Sequence, residues 1–176
     1  MICIVKLHRQ MLNIPHFSLR QKCELITDGT HFTPHYKDSG VRFYSAVNVL
    51  EGRFDYDGAF KWITPKEHSE IHRRCPVRAE DVLLRKVGVG PRWSCVVPKG
   101  LDDFSIFVSV ALIRPKKSVN PYFLSAFINT KQGQLQLLRL NKGSSQPDLH
   151  LEDIGELLVP DLDSKKQEQI AKIVKN

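Results

Sequence analysis

Short runs of apolar and β-branched residues, separated by glycine and proline, fill the middle of the chain. Runs of this length and composition predict strands, because such side chains fit a pleated, buried surface. We expect strands over residues 24–27, 41–49, 81–87, 93–97 and 104–113. The pattern therefore favours a core built on β-structure.

Helix start signals appear at two positions along the chain. Thr64, Pro65 and Glu67 make a capping box with proline at the first helical position, which predicts a helix from residue 65 onward. Asn120 and Pro121 provide a second start signal, ahead of apolar residues at helical spacing. A helix is therefore predicted in each segment.

A short helix is also predicted at the end of the sequence, starting near Asp163. Ile170, Ile173 and Val174 fall along one side of it, which gives an apolar stripe. A helix of about three turns is marginal in isolation, so we expect it to pack on this domain or on a partner. Together the elements predict an α+β fold, one compact mixed α/β domain with a short C-terminal helix.

Long polar loops connect these elements, over residues 28–40, 86–92 and 132–150. They carry hydroxyl, amide, imidazole and basic side chains on flexible backbone. Recognition chemistry concentrates in loops of this kind. The loops are therefore the first place to look for a binding site.

The charge balance points to a polyanionic partner. The chain has 26 basic and 19 acidic residues, for a net charge of +7, and such an excess on a small domain is typical of nucleic-acid binding. No apolar run approaches the roughly 20 residues of a membrane span, and we expect no signal peptide. Cys3, Cys23, Cys75 and Cys95 form no CxxC pair, so reduced thiols and a cytoplasmic location are expected.

Several kinds of chemistry are disfavoured by the motifs. The segment KVGVG at residues 86–90 is neither GxGxxG nor a Walker A loop. His68 and His72 share a helix face without an identifiable third ligand, so no metal site is expected. The segment at residues 120–122, NPY, has one proline too few for the motif of amino-methyltransferases. We therefore expect no methyl transfer.

One catalytic alternative stays open. Asp148, which follows a proline, and Asp163 with Lys165 satisfy a short PD…DxK pattern. Two carboxylates and a lysine can hold Mg²⁺ and activate water. The pattern is short and Asp163 fits a helix N-cap equally well. A Mg²⁺-dependent nuclease is thus the alternative to a binding protein.

The order of short motifs along the chain resembles a known family. Residues 26–31, ITDGTH, followed by Thr33 and Pro34, are similar to the opening signature of the target recognition domain in specificity subunits of type I restriction-modification enzymes. The resemblance covers residues 17–174. Further matching segments follow in order: Phe43 and Tyr44 with Asn48; residues 81–84 with Lys86 and Gly88; residues 109–114; Gly133 and Gln134; residues 143–146 with Leu149; and residues 159–162 with 167–171.

The resemblance implies a domain that reads double-stranded DNA and has no catalytic centre or cofactor. Methylation and cleavage in this family belong to separate modification and restriction subunits. The implied division is a lead-in at residues 1–16, a target recognition domain at 17–162 and the start of a spacer or dimerisation helix at 163–176. The family normally has two recognition domains and longer helices. This sequence therefore corresponds to a half-length form that dimerises, or to an inactive truncated remnant.

The loops supply the expected DNA-binding residues. Glutamine can bond adenine at two points, and lysine or arginine can bond guanine or a phosphate. Turn formation by glycine and loop capping by Thr30 or Ser144 are equally good explanations for those positions. The expected set is Gly29, Thr30, His31, Lys86, Gly88, Arg92, Gln134, Ser144, Ser145 and Gln146.

Overall fold

The computed structural model describes residues 14–88, 90–101, 103–140 and 148–175. The strands are β1 His16–Ser18, β2 Cys23–Asp28, β3 Val41–Tyr44, β4 Val49–Leu50, β5 Arg53–Phe54, β6 Lys61–Ile63, β7 Val82–Arg85, β8 Ser94–Val96, β9 Phe104–Ile106, β10 Val110–Pro115 and β11 Leu158–Pro160. The helices are α1 Leu19–Lys22, α2 Pro65–Arg74, α3 Pro121–Asn129, α4 Lys131–Leu140, α5 Leu151–Gly155 and α6 Ser164–Val174, with a 3₁₀ turn at Ala46–Asn48.

A central antiparallel sheet with strand order β2-β10-β7-β8 divides the fold. Leu112 of β10 lies between Thr27 of β2 and Leu83 of β7. Leu83 and Leu112 face one hydrophobic cluster, whereas Leu84 and Ile113 face another. Because successive side chains of a strand point to opposite faces, a sheet buried on both faces needs continuous apolar runs.

Helices cover one face of the central sheet. Leu124 and Ile128 of α3 and Leu137 of α4 pack there with Leu84 and Ile113, and all five side chains are fully buried. The N-cap side chain of Asn120 starts α3 by accepting hydrogen bonds from two backbone amides, as its sequence predicts. We call this cluster the helical core.

Aromatic side chains cover the other face. The rings of Tyr44, Phe54 and Phe104 lie with centroids 5.0 to 5.2 Å apart and pack with Leu83 and Leu112. Three elements outside the central sheet carry these rings: β3, β5 and β9. We call this cluster the aromatic core. It is the side on which the long polar loop at residues 29–40 begins.

A two-stranded antiparallel ribbon of β1 and β11 joins the beginning and the end of the described domain. Phe17 pairs with Val159, and both are buried in the helical core. The amide of Asp161 also donates to the carbonyl of Pro15 over 2.7 Å. The predicted lead-in at residues 1–16 therefore overlaps this ribbon at His16, and residues 1–13 lie outside the described part of the chain.

Two strand predictions need correction. The expected strand at 104–113 is two strands in different sheets, because β9 pairs in parallel with β3 whereas β10 joins the central sheet. A turn closed by the Val110 amide and the Phe107 carbonyl separates them. The expected strand at 41–49 likewise ends at Tyr44 and continues as the 3₁₀ turn and β4.

The expected loop at 132–150 also needs correction, because Lys131–Leu140 is helical. The helices predicted at 65 and 121 are confirmed, and α6 starts at Ser164 with Asp163 as its N-cap. The α+β fold class is confirmed by this mixture of helices and sheets. None of the helices in the described residues has both the length and the apolar character of a membrane span.

The terminal helix α6 packs on its own domain. Gln167 and Ala171 are buried, and the Gln167 side chain bonds the backbone of Asn120 and Leu162. Of the predicted apolar stripe, Ile170 contacts the helical core, whereas Ile173 stays 76% exposed. Only part of the apolar stripe of α6 thus packs against the domain.

Candidate nucleic-acid interface

A buried carboxylate organises the loop that follows β2. The Asp28 side chain is 3% exposed and accepts hydrogen bonds from Lys86 Nζ at 2.7 Å, Arg74 Nη2 at 2.7 Å and, with the matching tautomer, His31 Nε2 at 3.2 Å. Burial alone would raise the pKa of Asp28, but the bonds from Lys86, His31 and Arg74 outweigh it and hold the pKa below its usual value. The carboxylate is therefore charged at neutral pH and joins three segments.

Lys86 is the second member of this cluster, and its side chain is only 5% exposed. Its ammonium also lies 3.8 Å from the carboxylate of Asp148. The backbone follows the same route, because Val87 and Asp148 form an antiparallel bridge and the Leu149 amide donates to the Lys86 carbonyl. Lys86 thus connects the loop after β2, the loop after β7 and the residues that precede α5.

Gly29 and Thr30 fix the start of the first loop against β9. A Cβ atom at Gly29 would lie 2.0 Å from the Ile106 carbonyl oxygen, so only glycine fits this close approach. The Thr30 amide donates to the Ile106 carbonyl, and the Val108 amide donates to the Thr30 carbonyl. Both residues therefore serve the backbone of the loop, in line with the alternatives of turn formation for Gly29 and loop capping for Thr30.

Arg92 and Gln134 form a second internal contact. The Gln134 amide bonds both the N–H and the carbonyl of Arg92, at 2.8 and 3.0 Å, and also the carbonyl of Ile128. The Arg92 guanidinium donates to the carbonyl of Gly88, and burial followed by the charge of Arg85 lowers the pKa of Arg92. These contacts tie α4 to the loop after β7.

The structure thus brings together most of the predicted site residues. Gly29, Thr30 and His31 follow Asp28 in the loop that the Asp28–Lys86 pair holds, and Arg92 connects Gly88, two residues after Lys86, to Gln134. Lys86 was predicted as a cation that meets a base or phosphate, but it is buried against Asp28. The predicted contacts from Ser144, Ser145 and Gln146 lie outside the described residues, which resume at Asp148. His31 is 57% exposed and faces solvent directly.

The residues of the nuclease alternative have separate structural roles. Asp148 pairs with Lys86, whereas Asp163 caps α6 by accepting a hydrogen bond from the Lys166 amide. Among the described residues there is no group of three His, Cys, Asp or Glu side chains suited to hold a metal ion. The geometry therefore gives this alternative no added support.

A serine, a histidine and an aspartate also come together beside α2. His68 Nδ1 lies 2.9 Å from Ser105 Oγ, and its Nε2 lies 3.3 Å from Asp103 Oδ1. These are the residue types of a hydrolytic triad, but Ser105 is only 1% exposed and its hydroxyl has no access to a substrate. The contact instead joins α2 to β9.

No family model and no curated protein matches the chain, but solved structures do. A chain from the type I R-M system, solved to explain its complex assembly and conformational transition, matches with a TM-score of 0.64 and 14% identity over 92% of this chain and 37% of its own. The type I restriction-modification system S subunit from M. genitalium matches at 0.57 and 12%, over 92% of this chain and 38% of its own. The type IIG restriction endonuclease BpuSI matches at 0.69 and 10%, over 96% and 27%.

The chain shares its fold with part of each of these proteins. The predicted resemblance is confirmed at the level of fold, since matches to a type I specificity subunit cover nearly all of this chain. The chain spans between about a quarter and two fifths of the length of the proteins it matches.

The sequence analysis did not single out two residues of the candidate interface, Arg74 and Phe32. Arg74 at the end of α2 bonds the Asp28 carboxylate and the carbonyls of Asp28 and Gly29. Its only signal was its place in the last turn of a predicted helix, where cations are common. Phe32 is 83% exposed, and its position between the polar residues of the first loop was the signal available for it.

Proposed function

We propose that this chain is the target recognition domain of a type I restriction-modification specificity subunit, which binds double-stranded DNA in a sequence-specific manner without catalysing a reaction. One observation carries the proposal: the buried Asp28–Lys86 pair and its contact with Asp148 bring the polar loops to one place. A buried ion pair contributes little net stability compared with apolar residues. In this proposal the buried Asp28–Lys86 pair serves to hold the recognition loops in one arrangement.

The charge of the chain supports a DNA partner. The net charge of +7 attracts phosphates and makes affinity depend on salt. The fold is also shared with a type I S subunit. Direct base contacts in this proposal come from His31, Ser144, Ser145 and Gln146, whose side chains offer donors and acceptors to base edges.

The remaining predicted site residues take a supporting role in the proposal. Lys86 and Gln134 have their polar atoms engaged inside the domain, and Gly29 and Thr30 serve the loop backbone. Gly88 accepts from Arg92. These residues hold the loops that meet the bases, so their replacement changes recognition through geometry.

Selection of duplexes from a random pool tests the proposal. We expect enrichment of one sequence, and Gln146→Ala is expected to cost about 1–3 kcal/mol on it and relax one base position. Gln169→Ala is the matched control, because Gln169 is an exposed glutamine on α6. A selection that enriches no sequence at low salt contradicts DNA recognition. Cleavage of a plasmid in Mg²⁺ contradicts the non-catalytic role.

Assembly with other chains completes the proposal. We propose that the domain works with modification and restriction subunits, and that a second copy pairs through the exposed end of α6 at Ile173 and Val174. Palindromic DNA suits such a two-fold pair. Co-purification with a modification subunit in the presence of the selected duplex tests the first part, and a preparation that separates fully on a sizing column contradicts it.

A further inference from the structure

Phe32 is the most exposed of the large hydrophobic side chains that the structure describes, at 83%. Its ring therefore contributes nothing to either core. Singly exposed hydrophobic residues are common on protein surfaces, so exposure alone carries no function. The structure of the loop around Phe32 is what distinguishes this exposed ring from other exposed hydrophobic side chains.

The loop is fixed on both sides of the ring. Before Phe32, Thr30 is bonded to Ile106 and Val108, and the Thr30 hydroxyl lies 3.2 Å from the Phe32 amide and 3.3 Å from its carbonyl. After it, the His35 amide donates to the Glu67 carboxylate over 2.8 Å, and the Lys37 amide donates to the Trp62 carbonyl over 3.0 Å. The structure thus holds the ring out in water from a backbone tied down at both ends.

The surroundings of the ring combine apolar and polar groups and are mixed in charge. A groove between this loop and α2 is lined by Pro34 and Ile71, by hydroxyl and imidazole side chains with Arg74, and by the carboxylates of Glu67 and Glu70. The Glu67 carboxylate is occupied by the Thr64 hydroxyl and the His35 amide. Lys37 and Lys66 lie at the neighbouring rim. An aromatic ring with polar flanks and nearby cations suits a nucleic-acid base better than an apolar protein surface.

Phe32 also directly follows His31, whose imidazole contacts the Asp28 carboxylate that Lys86 bonds. We propose that Phe32 inserts between two adjacent base pairs of duplex DNA when the loop enters a groove, and so unstacks that step. This inference rests on the DNA binding proposed above. Apolar side chains inserted in this way kink the duplex by roughly 20–90°. The partner is a base-pair step within the recognised duplex, and pinning of the loop reduces the entropy lost on insertion.

The test uses the duplex that the parent protein selects from a random pool, labelled in two ways. A donor and an acceptor dye on its ends report bending, and 2-aminopurine at single adenine positions reports unstacking. Phe32→Ala is compared with Leu138→Ala, an equally apolar change at a side chain that is 68% exposed on α4. Phe32→Trp keeps an aromatic ring.

We expect Phe32→Ala to weaken binding by roughly 5- to 150-fold, to remove the 2-aminopurine signal at one step and to straighten the duplex. Phe32→Trp retains the signal, Leu138→Ala resembles the parent, and the thermal unfolding midpoint is unchanged in all three. Parent-like binding by Phe32→Ala, or lost affinity with the unstacking signal intact, overturns the insertion while leaving DNA binding in place. If the parent selects no duplex, DNA binding itself fails.

Discussion

The two faces of the central sheet are held together in different ways. On the helical side, α3 and α4 bury aliphatic side chains such as Leu124 and Leu137. On the aromatic side, Tyr44 and Phe104 form a smaller cluster of rings, and the loops beyond it are joined by hydrogen bonds and the Asp28–Lys86 pair. Both faces therefore rely on apolar burial, and the aromatic side adds the buried ion pair that joins the loops, whereas neutral hydrogen bonds such as those of Gln134 hold a loop on the helical side.

This difference suggests a division of labour within one small domain. Apolar burial is tolerant of shape and supplies most of the stability. Charged contacts in a buried setting supply a single arrangement of the groups they join. The Asp28–Lys86 part of the candidate interface lies on the aromatic side, and changes to the two cores are expected to separate folding from recognition.

The largest effect is expected from emptying the aromatic core. Phe104→Ala should lower the free energy of unfolding by about 3–5 kcal/mol, because the ring is fully buried against Tyr44 and Phe54. Leu124→Ala is the matched change in the helical core and should cost about 2–5 kcal/mol. Urea unfolding measures both.

DNA binding by these two variants also tests whether the two cores differ in their effect on recognition. Phe104→Ala should lower the ratio of specific to non-specific binding, because Ile106 of the same strand holds Thr30. Leu124→Ala should keep that ratio under conditions where the protein is folded. Equal loss of discrimination in both variants contradicts the division between the faces.

Lys86→Met should have the next largest effect, about 3 kcal/mol of stability, because it leaves the Asp28 carboxylate buried with fewer partners. The double variant Asp28→Asn, Lys86→Met should cost less than the sum of the two single changes. DNA affinity should fall while the slope of log affinity against log salt stays that of the parent. A slope smaller by about 0.9 would instead mean a lost phosphate contact.

A smaller effect on stability is expected when low pH protonates the Glu67 carboxylate. The His35 amide and the Thr64 hydroxyl and amide lower the pKa of Glu67 from 4.5 to about 2. Because the folded pKa is the lower one, the stabilisation is complete above pH 4.5 and is lost as the pH falls toward 2. The difference in unfolding free energy between the parent and Glu67→Gln should therefore shrink over that range in urea titrations. A difference that is constant from pH 6 to pH 2.5 contradicts this origin.

The smallest effect on stability is expected at the exposed end of α6. Ile173→Glu should change the free energy of unfolding by less than about 0.5 kcal/mol, since the side chain is 76% exposed. The same change should lower self-association in light scattering across a concentration series. Ala171→Glu is the contrasting control, because Ala171 is buried and its replacement disrupts packing. A parent protein that is monomeric at every concentration, with and without palindromic DNA, contradicts the pairing.

Elements with local start signals could be predicted from the sequence. The capping box at Thr64 and the N-caps at Asn120 and Asp163 each bond to amides within three residues, so the information lies beside the helix it starts. The helix α4 also has a hydroxyl cap, since the Gly133 amide donates to Thr130 Oγ1 over 3.2 Å, but Thr130 directly follows α3 and so does not stand out as a start signal. A Cβ atom at Gly133 would lie too close to the Ile128 carbonyl oxygen, so this helix needs a glycine here. In a sequence, a glycine among polar residues indicates a loop, which is why the pattern predicts no helix over these residues.

The break within 104–113 and the burial of Lys86 depend on distant partners. β9 leaves the central sheet because β3, about 60 residues earlier, offers a parallel edge. Lys86 is buried because Asp28 meets it from 58 positions away. The sequence could therefore nominate loops for the candidate site, while the contacts that bring those loops together and the direction of individual side chains required the tertiary structure.

The ribbon of β1 and β11 has a consequence for how such a unit can be exchanged. His16 lies opposite Pro160, so the strands at either end of residues 16–160 adjoin each other, and α6 follows directly and packs on the same domain. Strands that adjoin in this way let a unit be inserted into a host protein without stretching the chain between them. Transplanting residues 14–175 as a cassette, with the ribbon and α6 intact, would carry both hydrophobic clusters and the loop assembly together as one piece.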